Sequence, residues 1–177
     1  TELAPQSPYA EVKLKEENLV KITVKEKQLK SVTLRLGTIF GISPGMRFHT
    51  AVNKFCWQAV MKEPITVWKT ALEQKRPYLD LLDLGNAIAH IIQKDLFNNK
   101  TYNLLSGNFT VNNIIEFIKV YEPQLSIKLI DNNIMNQLSY EVLNQKFINE
   151  NFQFVGNIQN GIKKTIEQLR QSNTIND

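Results

Sequence analysis

The feature that most constrains this chain is the alternation of short β-branched runs with longer stretches of helical periodicity. Residues 31–36 (SVTLRL), 65–68 (ITVW), 76–81 (RPYLDL), 101–105 and 126–130 are short and rich in Val, Ile, Leu, Thr or Tyr. Such runs read as strands. Between them the spacing predicts helices over 8 to about 27, 49–61, 83 to about 94, and 111–120, with two more near 142–149 and 158–170. Ser7-Pro8 opens the first, with Glu11 and Glu16 toward its positive end. Asp83 reads as the N-cap of the third, and Pro64 closes the second. Strands that alternate with helices place the chain in the α/β class. Residues 31–36 look apolar on both faces, as in a parallel strand covered by helices on each side. No strand precedes them to pair with, so the chain reads like the second half of a doubly wound protein. It begins at Thr1 rather than at a methionine, as a processed chain or a piece of a longer one would.

Composition narrows the classes. A chain of 177 residues suffices for one domain with a sizeable core. No apolar run reaches the ~20 residues of a membrane span, and no secretory leader pattern opens the sequence. The formal net charge is +4, but the lysines between residues 13 and 30 alternate with glutamates. That is a solvated helix face rather than a nucleic-acid patch, so neither nucleic acid nor membrane is expected as a partner. The single cysteine, Cys56, excludes an internal disulfide and a cysteine zinc site, which fits a cytoplasmic location. No metal is expected.

Two motifs compete for a chemical role. In GTIFGISPG, residues 37–45, glycines recur at 37, 41 and 45 after a strand. A dinucleotide fingerprint needs tighter spacing and a helix that opens at the glycines. Here Pro44 intervenes and no helix starts before Arg47, so the segment reads as a plain loop. No other Gly-rich turn follows, so the chain carries no complete nicotinamide site of its own. The second motif is PYAEVK, residues 8–13. Tyr9 and Lys13 are four apart and share a helix face. An ammonium beside a phenol stabilises the phenolate and suits proton transfer. Alone, such a pair is also ordinary on a solvated helix.

Five ordered segments give the pair a context. SPYAEVKLKEENLV, with a glutamate after the Tyr-x-x-x-Lys, SVTLRLGTIFGISPGMRF, VNKFCWQAVMKEPITVW, QKRPYLDLLDLGNAIAHII and KTYNLLSGNFTVNNIIEFI follow one another along the chain. Together they resemble the C-terminal part of the extended short-chain dehydrogenase/reductases, the NAD-dependent nucleotide-sugar epimerases and dehydratases. The resemblance implies the end of a Rossmann-like doubly wound sheet plus a small α/β substrate-binding domain, with the N-terminal cofactor half absent. Residues 1–45 would end the Rossmann-like domain. Residues 46–177 would be mainly the substrate region, with some segments returning to the sheet.

By the same resemblance Tyr9 is the catalytic acid/base, and Lys13 binds the nicotinamide ribose and lowers the tyrosine pKa. Leu36 and Gly37 would lie near the nicotinamide of NAD or NADP. Thr38, Asn53, Val67 and Arg76 would meet the nucleotide-diphosphate sugar: Thr38 at the sugar, Asn53 and Arg76 at the phosphates, and Val67 with Trp68 at the base. The intact protein would be an epimerase or dehydratase of polysaccharide biosynthesis, and this chain alone inactive. The alternative is a non-catalytic module that binds sugar nucleotides, and a third possibility is a purely structural interaction domain. A homodimer through the helix of Tyr9 is implied, with Val12, Leu19, Val20 and Ile22 as its face or packed inward. The sequence departs from the family in two places. KTALEQK replaces a Gly-rich turn before Arg76, and Leu138 stands where a second phosphate-binding arginine is expected.

Overall fold

The computed structural model describes residues 5, 7–131 and 139–173. The expected Leu138 position therefore lies outside the described residues. Helix α1 (Pro8–Glu26) is followed by strands β1 (Thr33–Leu36) and β2 (Thr38–Phe40), then α2 (Ala51–Val60) and β3 (Ile65–Trp68). A 3₁₀ turn at Lys69–Ala71 leads into β4 (Lys75–Asp80), α3 (Leu81–Gln93), β5 (Thr101–Leu104) and β6 (Gly107–Thr110). The remaining elements are α4 (Val111–Lys119), β7 (Ile127–Ile130), α5 (Gln145–Ile148) and α6 (Ile158–Asn173). Strand pairs β1–β5, β2–β4 and β3–β7 are parallel, and β4–β6 is antiparallel. Parallel ladders joined through helices are the α/β arrangement that the alternation predicts.

Gly37 divides the chain's first strand region in two. Its N–H donates to the Leu104 carbonyl at 2.9 Å, which completes the β1–β5 ladder. A Cβ there would lie 3.1 Å from the Pro77 backbone and 3.2 Å from that of Tyr78. Only glycine lets β4 approach so closely, so the chain can leave β5 and pair with β4 from Thr38 onward.

Two apolar clusters flank this fork. The first gathers Phe40, Val52, Phe55, Ile65, Val67, Tyr78, Ile114, Ile118, Ile162 and Ile166. Helices α2, α4 and α6 supply it from positions three or four apart, as an amphipathic face requires. The second gathers Leu79, Ala87, Ile91, Tyr102, Leu104, Phe147 and Phe152. Tyr78 and Leu79 are neighbours on β4 but face opposite clusters, because side chains alternate along a strand.

Several expectations are corrected. Residues 37–45 are not all loop, since Thr38–Phe40 pair with Tyr78–Asp80. Strand β6 is absent from the sequence reading. GNFT carries little apolar pattern and is held by the ladder opposite Lys75–Tyr78. The helix near 142–149 shrinks to Gln145–Ile148. Strand β1 is not buried on both faces: residues 31–35 are half-buried and Leu36 is exposed. Its hydrogen-bonded neighbour among the described residues is β5 alone.

Asp83 is likewise not the cap of α3. Asp80 is, with its carboxylate accepting from Leu82 N–H at 2.9 Å. Asp83 lies in the first turn, fully buried, where it accepts from the N–H groups of Val155 (2.8 Å) and Gly156 (2.9 Å) and from the Ser106 hydroxyl. Either aspartate suits a helix start in the sequence. Only the approach of residues 155–156 separates the cap from the clamp.

Candidate active site

The site is built on α1. Ser7 caps the helix by accepting from Ala10 N–H at 3.2 Å, and Pro8 occupies its first turn. Both were legible in the sequence. Tyr9 is 73% exposed, and the Lys13 ammonium lies 5.7 Å from the centre of its ring. Lys13 Nζ also donates to Glu16 at 2.7 Å. That hydrogen bond, then the charge of the same carboxylate, raises the lysine pKa. The pair is thus side by side and fully accessible, with Lys13 held as a cation.

What fixes α1 in place is Glu17, one turn beyond Lys13. Its carboxylate is 8% exposed and takes a two-pronged contact from Arg35, Nε to Oε2 at 2.9 Å and Nη2 to Oε1 at 3.1 Å. Lys21 Nζ (2.9 Å) and the Thr101 hydroxyl (3.3 Å) complete its shell. Burial acts to raise the Glu17 pKa, but the hydrogen bonds and charges of Lys21 and Arg35 together hold it below the usual range. Lys13 lies about 6 Å and Tyr9 about 12 Å farther along the helix axis than Glu17. The pair thus lies on the same helix, one and two turns N-terminal to this anchor.

Leu36 ends β1, and Gly37 follows it. Leu36 is 44% exposed, whereas Gly37 is buried under β4. Thr38 is half-buried opposite Tyr78. Asn53 is 5% exposed near the head of α2, so it is not a solvent-facing residue. Its Nδ2 donates to the Arg47 carbonyl at 3.2 Å, and its Oδ1 is buried without a hydrogen-bond partner, as is the Thr50 hydroxyl. Rotating the amide would present Nδ2 in place of the orphaned Oδ1. Val67 points into the first cluster, so its side chain supports the floor of β3, while Trp68 is half-buried beside it.

Arg76, near the start of β4, stacks on Tyr140 with its guanidinium carbon 4.8 Å from the ring centre. Sequence reasoning missed Tyr140, which lies 64 residues away with no local pattern to mark it. A cavity of about 350 Å³ elsewhere is lined by Gly41, Ile42, Asp80, Asn157, Asn160 and Lys164, and none of the expected site residues borders it. His90 donates from Nε2 to the Glu150 carbonyl (2.9 Å) and packs against Phe147 and Phe152.

Among the described residues no group of His, Cys, Asp and Glu could hold a metal ion, and no helix is long and apolar enough to cross a membrane.

Parallel ladders and flanking helices define the C-terminal portion of a Rossmann-like α/β fold. Solved structures agree. UDP-glucose 4-epimerase of Thermus thermophilus, complexed with NAD, superposes with a TM-score of 0.78 at 21% identity, over 94% of this chain and 55% of that one. UDP-N-acetylglucosamine 4-epimerase of Methanobrevibacter ruminantium gives 0.81 at 20%, over 96% and 56%. dTDP-glucose 4,6-dehydratase of Bacillus anthracis, complexed with NAD, gives 0.77 at 20%, over 98% and 55%. The chain thus spans little more than half the length of the proteins it matches. The model of the NAD dependent epimerase/dehydratase family matches residues 1–104, more than half of the chain, and the chain belongs to that family.

Proposed function

We propose that this chain is the C-terminal part of an NAD-dependent nucleotide-sugar epimerase or dehydratase, with Tyr9 as acid/base and Lys13 beside it. The observation that carries the proposal is the Tyr9–Lys13 pair, side by side on the exposed first turns of α1, a helix tied to β1 by the Glu17–Arg35 anchor. The solved neighbours bind NAD in several cases, and one is complexed with UDP-glucose. The single described neighbour of β1 and the half-length coverage support a longer parent protein; work in the cytoplasm on precursors of surface polysaccharides belongs to the same reading by the chain's resemblance to its family.

The residues present fit one end of a nicotinamide cofactor. A phenol and an ammonium on one face can engage ribose hydroxyls near Leu36 and Gly37. When bound, NAD or NADP supplies hydride transfer. The protein's own part is proton movement and orientation. Tyr9, as the phenolate that the Lys13 cation stabilises, takes a proton from a sugar hydroxyl at its phenolic oxygen, carries it as the neutral phenol, and later returns it. Arg76 and Asn53 hold the diphosphate, the guanidinium through parallel hydrogen bonds in its plane. Thr38 lies toward the sugar, and the main chain at Val67, with Trp68, borders the nucleotide base. Val12, Leu19, Val20 and Ile22, exposed by 50%, 64%, 42% and 55%, form the face through which two copies associate. Sedimentation that finds only monomer at high concentration would remove that association.

The test is to read the frame upstream of Thr1 and express the full-length protein. Turnover of a nucleotide sugar should fall at least about 100-fold in Tyr9→Phe. Unchanged turnover would refute the role of Tyr9. A frame without a cofactor half, together with nucleotide-sugar binding that Arg76→Ala abolishes, would favour the alternative of a non-catalytic binding module.

A further inference from the structure

The segment from Ser139 to Asn144 is tied down along its length. Lys75 N–H donates to the Ser139 hydroxyl at 3.0 Å, and Tyr140 N–H donates to the Lys75 carbonyl at 3.3 Å. Lys75 Nζ pairs with Glu141 at 2.5 Å. Asn108 then grips Val142 with both amide atoms, accepting from its N–H at 3.1 Å and donating to its carbonyl at 2.9 Å. Asn103 and Asn144 add side-chain bonds to the Leu143 and Leu105 carbonyls, at 3.1 and 2.8 Å. A segment with no helix or strand of its own before residue 145 is thus fixed on the edge of β4 and β6. That fixation brings the ring of Tyr140, itself half-exposed, under the Arg76 guanidinium, 4.8 Å from ring centre to guanidinium carbon.

We propose that Tyr140 is the positioning residue for Arg76, a plate that sets the plane of the guanidinium for a nucleoside diphosphate. This rests on the reading of Arg76 as a diphosphate ligand. A guanidinium makes its hydrogen bonds in its own plane, whereas an aromatic ring binds its face. Stacking and oxyanion binding therefore do not compete. The plate removes rotamer freedom that a long side chain would otherwise lose on binding. The stretch KTALEQK precedes Arg76 without a glycine, and the rigid partner is supplied from the C-terminal side of the fold.

The test is calorimetric titration of the full-length protein, expressed from the frame that continues upstream of Thr1, with UDP, dTDP and GDP, following whichever binds most tightly. Tyr140→Ala should weaken binding about two- to fivefold, the range expected for an exposed cation–π contact. Tyr140→Phe keeps the ring face and should retain the original affinity. Thermal midpoints of the two variants should agree, since the ring is half-exposed and the main-chain bonds of residue 140 remain. The proposal is overturned if Tyr140→Ala binds as tightly as the unaltered chain. It is equally overturned if Tyr140→Phe loses as much as Tyr140→Ala, which would assign the effect to the hydroxyl. Absence of nucleotide binding by the unaltered chain would remove the diphosphate role of Arg76, and that of Tyr140 with it. The two failures are therefore distinct.

Discussion

Replacing Arg35 with alanine probes the joint that aims α1. Glu17 would stay buried at 8% exposure and lose both hydrogen bonds from the guanidinium. Breaking a buried ion pair by removing one partner costs roughly 3–5 kcal/mol. Two facts reduce that here. Arg35 is 36% exposed, so water screens part of the interaction, and Lys21 and Thr101 remain on the carboxylate. The expected loss is about 2 kcal/mol at pH 7, read from the urea midpoint at unchanged slope. Lys30→Ala is the control. Its pair with Asp95 is 72% and 67% exposed, and its removal should cost under about 0.5 kcal/mol.

The pH dependence sharpens the test. The Glu17 pKa is lowered by folding from an ordinary value of 4.5. A carboxylate of that kind contributes stability above its unfolded pKa and loses it as pH falls through its folded pKa. The penalty of Arg35→Ala should therefore be full at pH 6–7 and shrink as the pH falls below about 4. A penalty under about 0.5 kcal/mol at pH 7 would refute the anchoring argument. So would a larger penalty that stays constant down to pH 3, since the loss would then lie in packing of the arginine stem rather than in its charge.

Two further outcomes separate local propensity from packing. A Cβ at Gly85, within α3, would meet nothing within 4 Å, so Gly85→Ala should stabilise the protein by about 0.5–1 kcal/mol. A Cβ at Gly156 would collide with Asp80, Asp83 and the Ser106 hydroxyl, so Gly156→Ala should lower the thermal midpoint by several degrees. Equal signs for the two would contradict the structure. The Cys56 thiol is fully buried, and burial pushes its pKa up to about 12. It should resist a thiol-labelling reagent at pH 8 in the native protein and react promptly in urea.

The α/β class, most of the helices, the cap at Ser7 and the Tyr9–Lys13 pair were legible in the sequence because each depends on neighbours within a few residues. A spacing of four puts two side chains on one helix face whatever else the chain does. β-branched runs mark strands for the same local reason. The five ordered segments placed the chain among the epimerases and dehydratases, and the family match over residues 1–104 bears this out.

Tertiary structure decided the rest. The sequence pointed to Asp83 as the cap of α3, but Asp80 takes that place because Val155 and Gly156 arrive at Asp83. Strand β6 exists because β4 offers it a ladder, not because GNFT seeks one. Gly37 reads as one of several loop glycines until Pro77 and Tyr78 crowd it, and it then proves to be the fork between two sheets. Tyr140 meets Arg76 only because Lys75 and Asn108 hold its segment against the sheet edge. Local periodicity is written in the order of residues, whereas contacts across 64 positions depend on how the elements pack, and no single segment of the sequence encodes that.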